Sequence, residues 1–351
     1  MNNTAQSKMG YYFIVTASII IVMYGVNEAA HLIVPFLFSL FLSVILLPFY
    51  SFFNDRGIPN TLSLFLIMGF FLLIIFFIGK LLSINIQQFN LNLPEYSRIL
   101  SIKYQNFYQY ALSYDIEIPV TKLDNIINTK NSLSFATQMI ENLSAIFTNS
   151  FVILFTVIFM LLESKFFSYK IRLISKYNEN NTAVHIKSII NHIKEYMVLK
   201  TIVSLLTGAV IWIGLTIIGT DYAFLWAVIA FLFNYIPNIG SIIAAIPAVL
   251  LTLIEFDLES VGQVALLYIV VNVIMGSVVE PKLMGKGLGL SALVVFLSLL
   301  FWGGLLGIVG MLLAIPLTII IKIVLDSNEN TKWIAILLGN SGGKYDQIKI
   351  V

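Results

Sequence analysis

The sequence predicts an all-α polytopic membrane protein of about six full spans plus two broken, re-entrant hairpins arranged as inverted repeats. Three observations predict it. Of the 351 residues, 59% are hydrophobic and 11% charged, with a mean hydropathy of +0.93, whereas soluble domains carry about 45–50% apolar and about 25% charged residues. Charge-free runs recur at the length of about 20 residues that a helix needs to cross hydrocarbon. Two further apolar stretches are too long for one crossing and contain helix-breaking residues. A soluble enzyme is excluded, because so few charges could not coat a water-facing surface. The near balance of 20 Lys and Arg against 18 Asp and Glu offers no basic excess for nucleic acid. The absence of cysteine excludes disulfides, thiolate metal sites and thiol nucleophiles.

The first run, residues 11–26, follows a polar tail, and no small-residue cleavage pattern separates it from the next run. It reads as a retained anchor rather than a signal peptide. The second, 32–53, places Pro35 in its first turn and Pro48 near its end, where a missing backbone donor does least harm. The third is 62–82. From Ser83 to Ser144 the composition turns to Asn, Gln, Tyr and mixed charge, which marks an extramembrane insert. After Pro94 the positions Tyr96, Ile99, Leu100, Phe107 and Ala111 keep helical spacing, as do Ala136, Met139, Ile140, Leu143 and Ile146. Two or three amphipathic helices capping the bundle are expected. The remaining simple spans are 145–162, 202–218 and 261–279. The chain then divides into a three-span region (1–82), an extracytoplasmic insert (83–144), a fourth span with a basic segment (145–200), a core of two repeats (201–325) and a C-terminal tail (326–351).

Charge orients these pieces. Between residues 163 and 200, Lys165, Lys170, Arg172, Lys176, Lys187, Lys194 and Lys200 face only Glu163, Glu179 and Glu195. Positive residues mark the cytoplasmic side, and Lys8 and Arg56 agree, so both termini are expected inside and the insert outside. His185 and His192 share a helix face, but two histidines without further ligands read as a solvated face rather than a metal site.

Residues 222–254 form the first overlong stretch, interrupted at Asn234-Tyr235-Ile236-Pro237-Asn238-Ile239-Gly240-Ser241. Proline removes a donor and clashes with the preceding turn, so the helix should break there. Each arm is short for a crossing, which favours a re-entrant hairpin. The second stretch, 291–325, is interrupted at 302–310, a segment holding Gly303, Gly304, Gly307 and Gly310. The segments 242–247 and 311–316 share an apolar pattern ending in Pro247 and Pro316, 69 positions apart. If the first stretch is a hairpin entered from outside, Lys282 and Lys286 fall on the cytoplasmic side, and the repeats are inverted.

Hydrocarbon forbids lipid-exposed irregular backbone, so a break at membrane depth lies inside protein or beside a water-filled cavity. The candidate solute site therefore comprises Asn234, Pro237, Asn238, Gly240 and Ser241 from the first break and Gly303, Gly304, Gly307 and Gly310 from the second, with the solute between them. The second break offers almost no side-chain chemistry. Among ionisable residues, Glu28, Lys80, Glu163, Lys200, Glu280 and Lys322 lie near span ends, where long side chains snorkel. Glu280 is the ion-coupling candidate, following a helix that contains Asn272; its bland alternative is an interfacial cap or a partner for Lys282. No phosphate-binding Gly-Lys-Ser/Thr loop, zinc motif or Ser/His/Asp set is present, so direct ATP-driven transport and a cofactor are not expected.

Arg56-Gly57-Ile58-Pro59, the Asn234 to Gly240 break, Glu280-Pro281-Lys282-Leu283-Met284-Gly285 followed by Leu288-Gly289-Leu290-Ser291, and the segment from Trp302-Gly303 to Pro316-Leu317 resemble the autoinducer-2 exporter family of bacterial permeases. The resemblance covers essentially the whole chain apart from the insert. It implies export of a small polar signalling molecule in some members and sodium(lithium)/proton antiport in others, a location in the bacterial inner membrane, and a homo-oligomer, with a pentamer as the candidate. Ala292 and Gly304 depart from the family pattern, which has Pro and a bulkier residue at these places. The expected function is a carrier exporting a small polar, autoinducer-2-like solute by alternating access. Sodium(lithium)/proton antiport is the alternative, and an oligomeric channel or a membrane scaffold the second. The scarcity of buried charge ranks the polar-solute carrier first.

Overall fold

The computed structural model describes residues 3–114, 137–138, 140–141, 150–177, 182–237, 239–284 and 289–339. Most of the second half of the expected insert, Asn238, Lys286 and the end of the C-terminal tail lie outside the described residues. The elements are α1 Asn3–Glu28, α2 Ala30–Asp55, α3 Asn60–Leu112, α4 Ser150–Tyr177, α5 Thr182–Ile218, α6 Ala223–Phe233, α7 Gly240–Glu255 and α8 Leu258–Asn272. A π-helical segment Val273–Val279 follows, then α9 Glu280–Met284, α10 Ala292–Leu312, α11 Ala314–Asp326 and α12 Lys332–Leu337. Among the described residues there is no strand. Among the described residues, five helical stretches are long and apolar enough, by length and composition, to cross a membrane: Ala30–Asp55, Asn60–Leu112, Lys187–Ile218, Leu258–Leu283 and Ala292–Leu312. The chain is an all-α polytopic membrane protein.

Helices run on where apolarity stops. α3 continues for 53 residues, through Pro94, where a new helix was expected. At about 1.5 Å per residue it is about 80 Å long, more than twice the roughly 30 Å of hydrocarbon. Pro94 is tolerated because the carbonyl it deprives of a partner belongs to Asn90, an exposed residue that water can reach. α4 and α5 likewise carry the basic segment and an apolar span on one helix each. A hydrogen-bonded helix suits both water and lipid, so composition marks depth rather than a helix end. The second hairpin breaks inside the expected 302–310 segment: the helical run α10 is kinked apart at Gly307 (φ 66°, ψ −150°), so its first arm, 292–306, is about 15 residues long and the irregular backbone narrows to that glycine. Glycine reaches that conformation at little cost.

The chain forms two compact units. The first comprises Met1–Leu47, Phe151–Ile193 and Gly289–Val351. In it α1 packs on α10, α10 on α11 and α11 on α12. Ser39 and Ser43, one turn apart on α2, place their hydroxyls 3.3 Å from Ile153 O and 3.5 Å from Met160 Sδ on α4. Small residues permit such close helix approach in membranes.

The second unit comprises Pro48–Ser150 and Lys194–Leu288. α6 folds back on α7, α7 packs on α8, and the C-terminal half of α3 lies over α6 and α7. Phe89 of α3 meets Tyr222 and Trp226 edge-on at 5.7 and 5.8 Å. Lys103 Nζ donates to Leu253 O and Phe256 O, both at 2.7 Å; the negative end of the α7 dipole and its unpaired carbonyls favour a cation there. Asp221 N donates to Glu255 Oε2 at 3.3 Å. Asp221, two residues before α6, thus touches the last residue of α7, so the chain leaves this hairpin at the end where it entered.

Candidate functional site

The first break is held by one stripe of α5. Tyr196, Lys200, Ser204 and Thr207 follow the i, i+4 and i+3 spacing of a single helix face, and all four are buried. Asn234 Nδ2 donates to Ser204 Oγ at 3.0 Å, and the Tyr235 hydroxyl lies 2.7 Å from Thr201 Oγ1. Lys200 Nζ donates to both oxygens of Glu280, at 2.7 and 2.8 Å. Lys200 stands 18 residues before the end of α5 at Ile218, about 27 Å at 1.5 Å per residue. The break and the ion pair therefore lie far from the hairpin mouth at Asp221 and Glu255.

Local sequence explains the placing of Glu280. Proline lacks a backbone donor, and its ring clashes with the carbonyl four residues back, here that of Ser277. The ladder ahead of Pro281 widens, and Glu280 N–H bonds to Met275 O, five residues earlier. Such π segments are rare and collect at functional sites. The chain emerges with Glu280 against Lys200. This overturns two expectations. Lys200 does not snorkel, since it is 1% exposed, and the partner of Glu280 is Lys200 rather than the exposed Lys282. An unpaired charge at this depth costs several kcal/mol, by order of magnitude, so each member requires the other.

The remaining expected residues divide. Asn234 is buried, Pro237 and Ser241 are half-buried, and Asn238 is outside the described residues. Gly240 is buried, and a Cβ there would stand 1.8 Å from Phe233 O and 3.0 Å from Ile236 Cβ. Only hydrogen fits. Asn272, half-buried, closes α8 eight positions before Glu280. The other four glycines belong to the first unit. Gly303 is half-buried against Met311, Gly304 and Gly307 are exposed, and Gly310 is buried with its would-be Cβ 2.0 Å from Trp302 O. Both hairpins thus use a glycine pressed onto a carbonyl of the preceding arm.

The sequence reading missed the polar chemistry of the second break. Asn27 Nδ2 on α1 lies 3.4 Å from Gly304 O and 3.1 Å from Leu305 O, carbonyls whose helical partners are displaced by the turn at Gly307. Trp302 Nε1 donates to Thr318 Oγ1 at 3.1 Å, and Thr318 donates to Ser298 Oγ at 2.9 Å. Asn27 stands at the end of the first apolar run, where a polar residue reads as an interface marker, so its partner 278 positions away left no local signal. Asn27→Leu is expected to lower stability by about 1 kcal/mol, the scale of one net hydrogen bond, measurable as a lower thermal midpoint in detergent.

At the hairpin mouth, outside the spanning segments, Tyr96 Oη lies 3.4 Å from Asp221 Oδ2 and 3.1 Å from Tyr222 Oη, and Asn92 Nδ2 donates to Tyr222 Oη at 2.8 Å. Burial first, and then the neighbouring Asp221 carboxylate, push Glu255 from 4.5 up to about 7. The raised value means the folded state holds this proton more tightly than the unfolded chain. The resulting stability is complete below pH 4.5 and disappears as pH rises through about 7. Thermal midpoints of the wild type should therefore fall between pH 5 and 8 by more than those of Glu255→Gln; equal slopes would show that Glu255 does not titrate in this window. Among the described residues no cluster of three or more His, Asp or Glu could hold a metal. His192 bonds within its own helix, to Ser188 O, and the side chain of His185 is outside the described residues.

Comparison with known proteins adds a second line. The profile of the AI-2E family transporter matches residues 13–330. The chain is 35% identical over 328 residues to the AI-2 transport protein TqsA of Escherichia coli K12, covering 93% of this chain and 95% of that protein. A Haemophilus influenzae protein, provisionally named as a transport protein, is 37% identical over 329 residues, with 92% and 94% covered. YhhT of Escherichia coli K12, named in the same provisional way, is 32% identical over 343 residues, with 97% of each chain covered.

Proposed function

The chain belongs to the AI-2E family of transporters and is a membrane transporter; from that premise we propose that it exports a small polar, autoinducer-2-like solute by alternating access. The observation that carries this reading is the buried break of the α6–α7 hairpin, held to α5 by Asn234–Ser204 and Tyr235–Thr201. Irregular backbone at membrane depth requires protein or a water-filled cavity around it. The groups at this break are amide, hydroxyl and phenol, and the adjacent charges cancel in the Lys200–Glu280 pair. A neutral hydroxyl-rich solute can exchange hydrogen bonds with such groups, whereas a free ion finds no uncompensated partner in that pair. The pairing of Glu280 therefore favours a solute carrier over sodium(lithium)/proton exchange through that carboxylate.

The hairpin supplies the moving part in this proposal. Its arms have 11 and 16 residues and return to one end, so the tip can tilt away from α5 without dragging a full span, as broken elements do in transporters built on repeats. The basic ends of α4 and α5 are assigned to the cytoplasm by the positive-inside rule. The reading is tested by autoinducer-2 efflux from proteoliposomes with imposed proton and sodium gradients. Saturable efflux is expected, reduced about tenfold by Asn234→Ala, which corresponds to about 1.4 kcal/mol of lost interaction. Unchanged efflux in that variant overturns the assignment of the break as the solute site.

A further inference from the structure

A second polar concavity lies in the same unit, at the hairpin mouth and away from the break. A cavity of about 300 Å³ is lined by Asn85, Gln88, Leu91, Asn92, Asp221 and Tyr222. It has room for about ten waters at roughly 30 Å³ each, the scale of one monosaccharide, and falls at the lower end of small-molecule sites.

The wall is unlike a packing surface. Asn85, Gln88 and Asn92 follow i, i+3 and i+7 spacing and share a face of α3. The ring contacts of this helix with the hairpin are made by Phe89, against Tyr222 and Trp226. Each amide presents both a donor and an acceptor, and the carboxylate accepts only. Asn85 Nδ2 is engaged with Leu81 O at 2.7 Å, so its side-chain oxygen supplies an acceptor to the cavity. Asn92 Nδ2 is engaged with Tyr222 Oη.

Tyr222 adds an independent sign of a built site. It has the left-handed φ of 56°, which costs a residue with a Cβ roughly 1–2 kcal/mol. Such strain persists where surroundings over-determine it, and it collects at ligand sites. Here Asn92 and Tyr96 hold the hydroxyl and Phe89 holds the ring. The C-terminal half of α3 thus fixes one wall of the cavity in a conformation the turn would not adopt alone.

We propose that this cavity binds a small neutral polyol of monosaccharide size, with Asp221 accepting its hydroxyls and the three amides completing the shell. Three amides and a phenol against one carboxylate match alternating hydroxyl donors and acceptors better than they match a bare cation. The cavity stands at the end of the hairpin opposite the break. Its role as a second stop on the solute's route rests on the transport reading, while its binding of a polyol does not.

The chain has no cysteine, so Leu91→Cys places a single thiol in the lining without removing a polar group; Leu91 is 72% exposed. The probe is D-ribose, and the readout is the rate at which a membrane-impermeant maleimide labels full-length protein in proteoliposomes. Ribose should slow labelling at Leu91→Cys at least fivefold, saturably, and leave labelling of Phe107→Cys, farther along α3, unchanged. Adding Asp221→Asn should abolish that protection; if that variant fails to fold, Asn85→Leu should do the same. Equal labelling with and without ribose, equal slowing at both positions, or equal protection by sodium alone would overturn the proposal. Ribose protection without autoinducer-2 efflux would sink the transport reading alone, and efflux without protection would sink the cavity alone.

Discussion

Gly240→Ala is expected to abolish efflux and to destabilise the protein by at least about 3 kcal/mol, the upper end of the usual cost of overpacking. The added methyl would stand 1.8 Å from Phe233 O, and a backbone carbonyl at the end of a helix cannot swing aside as a flexible side chain can. The carbonyl is also in use, accepting from Ile236 N at 2.8 Å. Relief therefore requires the arms of α6 and α7 to part, which undoes the contacts of Asn234 and Tyr235 with α5. Gly310→Ala should behave alike in the second hairpin, where the methyl would meet Trp302 O at 2.0 Å. Gly304→Ala is the control, because nothing lies within 4 Å of its Cβ position; a helical alanine there should hold or raise stability by up to about 1 kcal/mol. Thermal midpoints in detergent and efflux in proteoliposomes check all three. Equal midpoints for Gly240→Ala and Gly304→Ala would show that the close approach is not a constraint.

Lys200→Met carries the second large effect. Removing one member of a buried pair leaves the other charged without a partner and typically costs about 3–5 kcal/mol, whereas replacing both by apolar groups is often neutral or stabilising. Lys200→Met should therefore be severely destabilised, Glu280→Met clearly so, and Lys200→Met with Glu280→Met restored towards the wild type. A double-mutant cycle on unfolding midpoints reads the coupling. Efflux by the double variant would place the pair in the architecture of the break, and loss of efflux in a folded double variant would place it in the transport step itself. Simple additivity of the two single variants would contradict the pairing as a source of stability.

The spans were legible because hydrophobic length is a property of consecutive residues. Asn234, Pro237 and Gly240 announced the first break for the same reason: proline and glycine act on the backbone where they stand. The extent of helices was less legible. Pro94 signals a break in isolation, yet α3 passes through it because the orphaned carbonyl lies on an exposed residue. Residues joined over long sequence separations were not legible. Lys200 looked like a snorkelling end residue and Glu280, 80 positions away, like an ion-coupling group or a partner for Lys282; only the fold that brings Glu280 to α5 makes them a pair. Asn27 is a similar case, an apparent interface residue that supplies donors to the carbonyls before Gly307. In retrospect the period of four residues through Tyr196, Lys200 and Ser204 was a signal that the basic segment and the following span form one helix with a polar face.

The central claim is that the α6–α7 hairpin must part from α5 for solute to pass. Because the chain contains no cysteine, the pair Ser204→Cys and Asn234→Cys introduces the only two thiols, at side chains now joined by a 3.0 Å hydrogen bond. Autoinducer-2 efflux from proteoliposomes would be measured on the oxidised protein and again after reduction, with the extent of cross-linking read by mass spectrometry. The account predicts that the cross-linked protein is silent and that reduction restores efflux to the lowered level expected once the Asn234 amide is lost. Undiminished efflux from fully cross-linked protein would contradict it.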